Sequence, residues 1–91
     1  MIAVVSHDSG GAELISSWLP QAREPYVLVL EGPAVDIFAR KLGKAPVLSL
    51  EPALARADWL LAGTSWASDL EKNAILLARR RGIRAVAYLD H

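Results

Sequence analysis

One pattern repeats along the chain. A short unbroken apolar run ends on glycine or polar turn residues, and a segment with helical apolar spacing follows. Short apolar runs bounded by turn signals read as strands buried on both faces. The first is Ile2-Ala3-Val4-Val5, closing on Ser6-His7-Asp8-Ser9-Gly10-Gly11. Asp8 or Ser9 is placed to cap a helix running to Leu19, and Pro20 is expected to stop it. Tyr26-Val27-Leu28-Val29-Leu30 is the second and clearest strand, ended by Glu31-Gly32. Pro33 suits a first helical position, Val35, Ile37, Phe38 and Leu42 form an apolar stripe, and Gly43 is the stop. Pro46-Val47-Leu48-Ser49-Leu50 reads as a third, shorter strand, and Glu51 to Ala57 as a helical turn or two.

Trp59-Leu60-Leu61-Ala62 is the fourth strand, stopped by Gly63-Thr64-Ser65. Ser68-Asp69-Leu70-Glu71 has capping-box spacing, with Ser at the cap and Glu three residues on. Leu70, Ala74, Leu77 and Ala78 then share one helix face. Arg79-Arg80-Arg81 lie in the last turn, where cations complement the helix dipole, and Gly82 follows. Arg84-Ala85-Val86-Ala87-Tyr88-Leu89 is the fifth strand, leading into Asp90-His91. Trp18 and Trp59 read as core residues.

Strands alternating with helices predict a three-layer α/β fold around a parallel sheet. The expected order of the five strands is the Rossmann-like 3-2-1-4-5, with the flavodoxin-like 2-1-3-4-5 as the alternative. The 91 residues make a single α/β domain, residues 1–91, which reads as the N-terminal fragment of a longer protein.

Composition excludes several classes. Hydrophobic residues are 53% of the chain and ten Lys and Arg balance ten Asp and Glu, which rules out disorder and a globally basic nucleic-acid binder. There is no Cys, so no disulfide framework. No run reaches the length of a membrane span, and the N-terminus lacks the basic region of a signal peptide, so a cytoplasmic location is expected. Five buried strands with three full helices leave part of the sheet bare. The high apolar content therefore predicts a face that meets a missing C-terminal domain or, as a homodimer, a second copy.

The polar segments are distributed unevenly. His7-Asp8-Ser9-Gly10-Gly11, Glu31-Gly32, Gly63-Thr64-Ser65-Trp66 and Asp90-His91 all follow strands, whereas the opposite ends carry ordinary connectors. Ligands of open α/β sheets bind beyond the carboxyl ends of the strands, where the strand order reverses. In the expected order the first and fourth strands are neighbours there. His7 is thus the candidate acid or base, with Asp8 beside it. Ser9, Gly10, Gly11, Gly63, Thr64, Ser65, Asp90 and His91 are the candidate ligand contacts. The bland alternative is a set of polar, glycine-containing strand-to-helix turns. Trp66 either stacks on a ligand ring or packs beneath its own loop.

The first loop is neither G-x-G-x-x-G nor a Walker loop, so no nicotinamide or nucleoside-triphosphate signature is present, and no cofactor is expected. His7, Asp8, Asp90 and His91 supply metal-ligand types, but one intervening strand sets the two pairs about 10 Å apart, so no metal is assigned. The arginine run reads as a solvated helix end.

The loop Ser6-His7-Asp8-Ser9-Gly10-Gly11-Ala12-Glu13 and the block from Ala57 through Gly63-Thr64-Ser65 to Asp90-His91 resemble the N-terminal half-domain of GT-B type nucleotide-sugar enzymes. That group includes glycosyltransferases and UDP-N-acetylglucosamine 2-epimerase-like proteins. The resemblance implies two Rossmann-like domains facing across a cleft, the N-terminal one receiving the sugar or its acceptor. It implies His7 as base, and Gly10, Gly11, Gly63 and Thr64 as walls of a sugar or phosphate pocket. This chain departs from the family in having no second domain, which implies no activity alone. The competing readings are a free-standing phosphate- or small-molecule-binding module and a non-catalytic oligomerisation domain.

Overall fold

The computed structural model describes residues 1–43, 45–63 and 69–87. It is an α/β fold with strands β1 (Ile2–Ser6), β2 (Tyr26–Leu30), β3 (Trp59–Ala62) and β4 (Arg84–Ala87), and helices α1 (Ser9–Ala22), α2 (Ala34–Leu42), α3 (Leu50–Arg56) and α4 (Leu70–Arg80). The sheet is parallel, with its four strands in the order β2-β1-β3-β4. Successive strand residues face opposite sides, and both sides are filled. Ile2, Val4, Leu28 and Leu61 pack with Ile15 and Leu19 of α1 and Ile37 and Phe38 of α2. Ala3, Val5, Val27, Val29 and Leu60 pack with Ala53 and Leu54 of α3 and Ala74 and Ala78 of α4. Each large side chain removed from water this way contributes roughly 1.5–3 kcal/mol.

The expected third strand is reduced to a point. Among the described residues of 46–50, Val47 alone makes a parallel bridge, to Leu28 on the outer side of β2. Pro46 has no N–H to extend the ladder, and α3 begins at Leu50, so pairing is cut from both ends. The segment does not separate β1 from β3, which pair directly from Ile2–Trp59 to Val5–Ala62, so the flavodoxin-like order is not formed. Of the expected fifth strand, residues 84–87 form β4, and Tyr88 and Leu89 lie outside the described residues.

Pro20 does not stop α1. The helix runs on to Ala22 and ends at Arg23, which takes the left-handed conformation at φ 55°. Pro20 sits in the last turn, exposed, where only one helical hydrogen bond is forfeited. Gly43 ends α2 as expected, at φ 65°. The arginine run is solvated, with Arg79, Arg80 and Arg81 exposed and Arg81 paired with Glu51. Ser68 lies outside the described residues, and α4 starts at Leu70 behind Asp69. Among the described residues no helix is long and apolar enough to cross a membrane.

Neither Trp18 nor Trp59 is fully buried. Trp18 is 41% exposed, and Trp59 is half-buried. On the α1 side of the sheet the helices cover β1 and β2, leaving β3 and β4 beside a groove. This groove, about 200 Å³, is lined by Ile15, Trp18, Trp59, Leu61, Arg84 and Val86. The Arg84 guanidinium lies over the Trp59 ring, 5.5 Å from its centroid. Trp59 Nε1 donates to Glu24 Oε2 at 2.9 Å.

Candidate functional site

The carboxyl ends of β1, β2 and β3 converge, as the strand order requires. β1 ends at Ser6, and the chain turns through His7 and Asp8 into α1. Main-chain bonds fasten this turn to its neighbours. Glu31 N–H donates to Ser6 O at 3.1 Å, Ala34 N–H donates to His7 O at 3.1 Å, and Gly63 N–H donates to Val5 O at 3.1 Å. His7 therefore follows the end of a strand that is flanked by β2 and β3 and bonded to the segments that leave both.

Asp8 has the extended backbone of a helix cap, but its side chain makes no capping bond. Its Oδ1 instead lies 3.0 Å from His7 Nδ1. An ionised Asp8 favours the proton on Nδ1 and leaves Nε2 as the unprotonated nitrogen, the tautomer a general base requires. The imidazole also packs against Gly32. Its Nε2 lies 2.7 Å from where a Cβ on Gly32 would be, and Gly32 itself has φ +57°. The Glu31-Gly32 turn is thus shaped around His7.

The other side of the turn holds a residue with a different apparent role in the sequence. Glu71 completes the Ser68-x-x-Glu71 spacing, which predicts a cap. In the structure it is 3% exposed, and its Oε2 accepts the His7 main-chain N–H at 3.3 Å. The carboxyl group passes so close to Gly63 that a Cβ there would lie 2.6 Å from Oε2. Burial pushes the Glu71 carboxyl above the ordinary glutamate range. The His7 N–H bond opposes this, the Asp8 charge adds to it, and the His7 side chain opposes it weakly. Ser6, at the end of β1, is fully buried. Ser6 Oγ and Glu71 Oε1 have no hydrogen-bond partner among the described residues. Buried polar atoms rarely remain so. The capping-box spacing accounts for Glu71 locally and hides this contact, and Ser6 shows only as a polar residue closing an apolar run.

The remaining candidates divide in two. Ser9 is exposed, Gly10 half-buried and Gly11 buried at the start of α1, and a Cβ on Gly11 would lie 3.7 Å from Gly63 Cα. The structure thus brings His7, Asp8, Gly11 and Gly63 together. Thr64, Ser65, Trp66, Asp90 and His91 lie outside the described residues. The groove at Trp18 and Trp59 is a separate feature, because Trp59 and Arg84 open β3 and β4 at the opposite end of the sheet.

Among the described residues no group of three or more His, Asp or Glu side chains is placed to hold a metal ion. The chemistry available is that of an Asp-oriented imidazole, a buried carboxyl and a buried hydroxyl. No protein-family model matches the sequence, and no curated protein or solved structure matches the chain.

Proposed function

We propose that this chain is the sugar-side domain of a nucleotide-sugar enzyme of glycosyltransferase or epimerase type, Rossmann-like in its strand order. The ligand is the sugar of a nucleotide sugar, or its acceptor, and it binds at the carboxyl ends of β1 and β3. The observation that carries this reading is the His7–Asp8 pair, with Asp8 Oδ1 3.0 Å from His7 Nδ1, standing where α/β sheets bind ligands. An imidazole oriented by a carboxylate suits proton transfer at a sugar hydroxyl. Asp8 orients it. Gly11 and Gly63 bring main chain close to the ligand without side chains in the way. The bare α1-side groove over β3 and β4 supports the companion reading that a larger enzyme completes the domain.

The test is a chemical-shift titration of the isolated chain with UDP-N-acetylglucosamine, UDP and N-acetylglucosamine. Saturable shifts confined to His7–Gly11, Gly32 and Gly63 are expected with the two sugar-bearing ligands, weakened at least tenfold by His7→Ala. Shifts elsewhere, or none at these positions with any of the three, reject the reading.

A further inference from the structure

A peptide unit is planar, so a side chain is aimed by the two units that flank its residue. Both units around His7 are held. In the unit before it, Ser6 O accepts from Glu31 N–H at 3.1 Å and His7 N–H donates to Glu71 Oε2 at 3.3 Å. In the unit after it, His7 O accepts from Ala34 N–H at 3.1 Å. With both units fixed, the direction of the His7 Cα–Cβ bond is fixed as well. The imidazole is thereby brought to Asp8 Oδ1, 3.0 Å from Nδ1, and against Gly32, which has no side chain to displace it.

These holds come from both sides of the sheet. Ala34 opens α2, which packs on the same face as α1, and Glu71 lies in the first turn of α4 on the other face. The pairing of β1 with β3 stops at Val5–Ala62, so the His7 N–H lies past that ladder, and a side chain supplies the acceptor. Gly63, directly after β3, lacks the Cβ that would exclude the carboxyl group from this place. The accepting role does not depend on charge, because a carboxylate and the carbonyl oxygen of a carboxylic acid both accept. Of the three bonds that hold the two peptide units, two join main chain to main chain and the third depends on one side chain.

We propose that Glu71 is a positioning residue for the His7 base: reaching from α4, it fixes the peptide unit that aims the imidazole at Asp8. The proposal rests on the reading above that His7 is the base, and it adds the residue that keeps the base in its working orientation.

The test compares wild type with Glu71→Gln, which keeps an accepting oxygen, and Glu71→Met, which fills similar space without one. Ala78→Gly serves as the control, since it loosens α4 two turns away without touching the bond. The readouts are the His7 amide proton and the ring nitrogen shifts of the neutral imidazole. Wild type, E71Q and Ala78→Gly are expected to keep the proton on Nδ1 and two well-separated ring nitrogen shifts. E71M is expected to lose that separation, as the ring leaves Asp8 and the tautomers average, and to shift the His7 amide proton. The proposal is overturned if E71M keeps the wild-type pattern, if E71Q loses it as E71M does, or if Ala78→Gly disturbs it as much. Circular dichroism establishes that E71M is folded. If it is not, wild type alone decides: the His7 amide proton must follow the ionisation of the Glu71 carboxyl carbon through one shared midpoint, and an amide that ignores it overturns the proposal. N-acetylglucosamine is titrated separately. A lost ring orientation in E71M with no sugar binding by wild type upholds the role of Glu71 and rejects the sugar reading, whereas sugar binding with the orientation kept in E71M rejects this inference alone.

Discussion

Glu71 Oε2 accepts a hydrogen bond from the His7 main-chain N–H at 3.3 Å, across 64 residues of sequence. This bond ties α4 to the end of β1 and puts a buried carboxyl beneath the candidate base. Its consequence for stability has a definite sign. Burial raises the Glu71 pKa in the folded chain above its unfolded value. Between those two values the folded state holds the proton and the unfolded state releases it. Stability therefore falls as pH rises through that window, by about 1.4 kcal/mol for each unit of difference. Urea midpoints measured from acid to neutral pH should show this fall in wild type and a flatter profile in Glu71→Gln, after the common contribution of the other carboxylates is subtracted. Parallel profiles would show that burial in the fold does not raise the Glu71 pKa.

Gly63 leaves room for that carboxyl group. A Cβ at this position would lie 2.6 Å from Glu71 Oε2, inside any normal contact. Gly63→Ala should therefore push the carboxyl group away, break its bond to His7 and destabilise the domain by about 1–3 kcal/mol. Shortening the partner removes the clash. In a double-mutant cycle with Glu71→Ala, the cost of Gly63→Ala should fall by at least about 1 kcal/mol. Strict additivity would place the source of the Gly63 requirement elsewhere.

Pro20 lies inside α1, three residues before its left-handed cap at Arg23. Its ring removes the N–H that would bond to the Ser16 carbonyl and crowds that carbonyl. Pro20→Ala restores the bond, at the expense of the entropy that proline withholds from the unfolded chain, roughly 0.4–1 kcal/mol. The restored bond and relieved crowding outweigh this, and a net gain of about 1 kcal/mol is expected. Chemical denaturation would measure it. A net loss would mean that the proline is matched to the helix end.

Pro20 also shows where local signals lose to packing. Its expected stop is overridden because Ile15 and Leu19 on the same helix are held by the core, so the last turn forms despite the missing bond. The strand runs were legible because burial on both faces demands continuous apolar sequence, and β1, β2 and β3 have it. Crossover rules narrowed their order to a few topologies, and the direct pairing of β1 with β3 is what selects among them. Val47 illustrates the opposite case: strand propensity was present, but ladder length depends on Pro46 and on the start of α3. At the site, His7 and Asp8 were legible because polar residues beside glycines at a strand end are a local signal. Glu71 was not, because its spacing from Ser68 already explained it as a cap and its real partner lies 64 residues away. Trp18 and Trp59 were misplaced for a related reason. Their size predicts burial, but no described helix covers β3 and β4 on the α1 side.

Gly32 offers the sharpest test of how His7 is held. Its φ of +57° penalises any side chain, and a Cβ would in addition lie 2.7 Å from His7 Nε2. Gly82 has a similar φ of +70° but nothing within 4 Å of the same position. Both glycine-to-alanine substitutions should therefore lose about 1–2 kcal/mol for the left-handed backbone. Gly32→Ala alone must also move the imidazole, so it should lose at least about 1 kcal/mol more than Gly82→Ala. The His7 ring resonances should shift in Gly32→Ala and stay in place in Gly82→Ala. If the two variants are equally destabilised and the His7 resonances are unchanged, Gly32 serves the turn and not the base. If the predicted difference is found, the end of β2 is part of the site. The imidazole would then be held on one side by Asp8 and on the other by a backbone that admits no side chain.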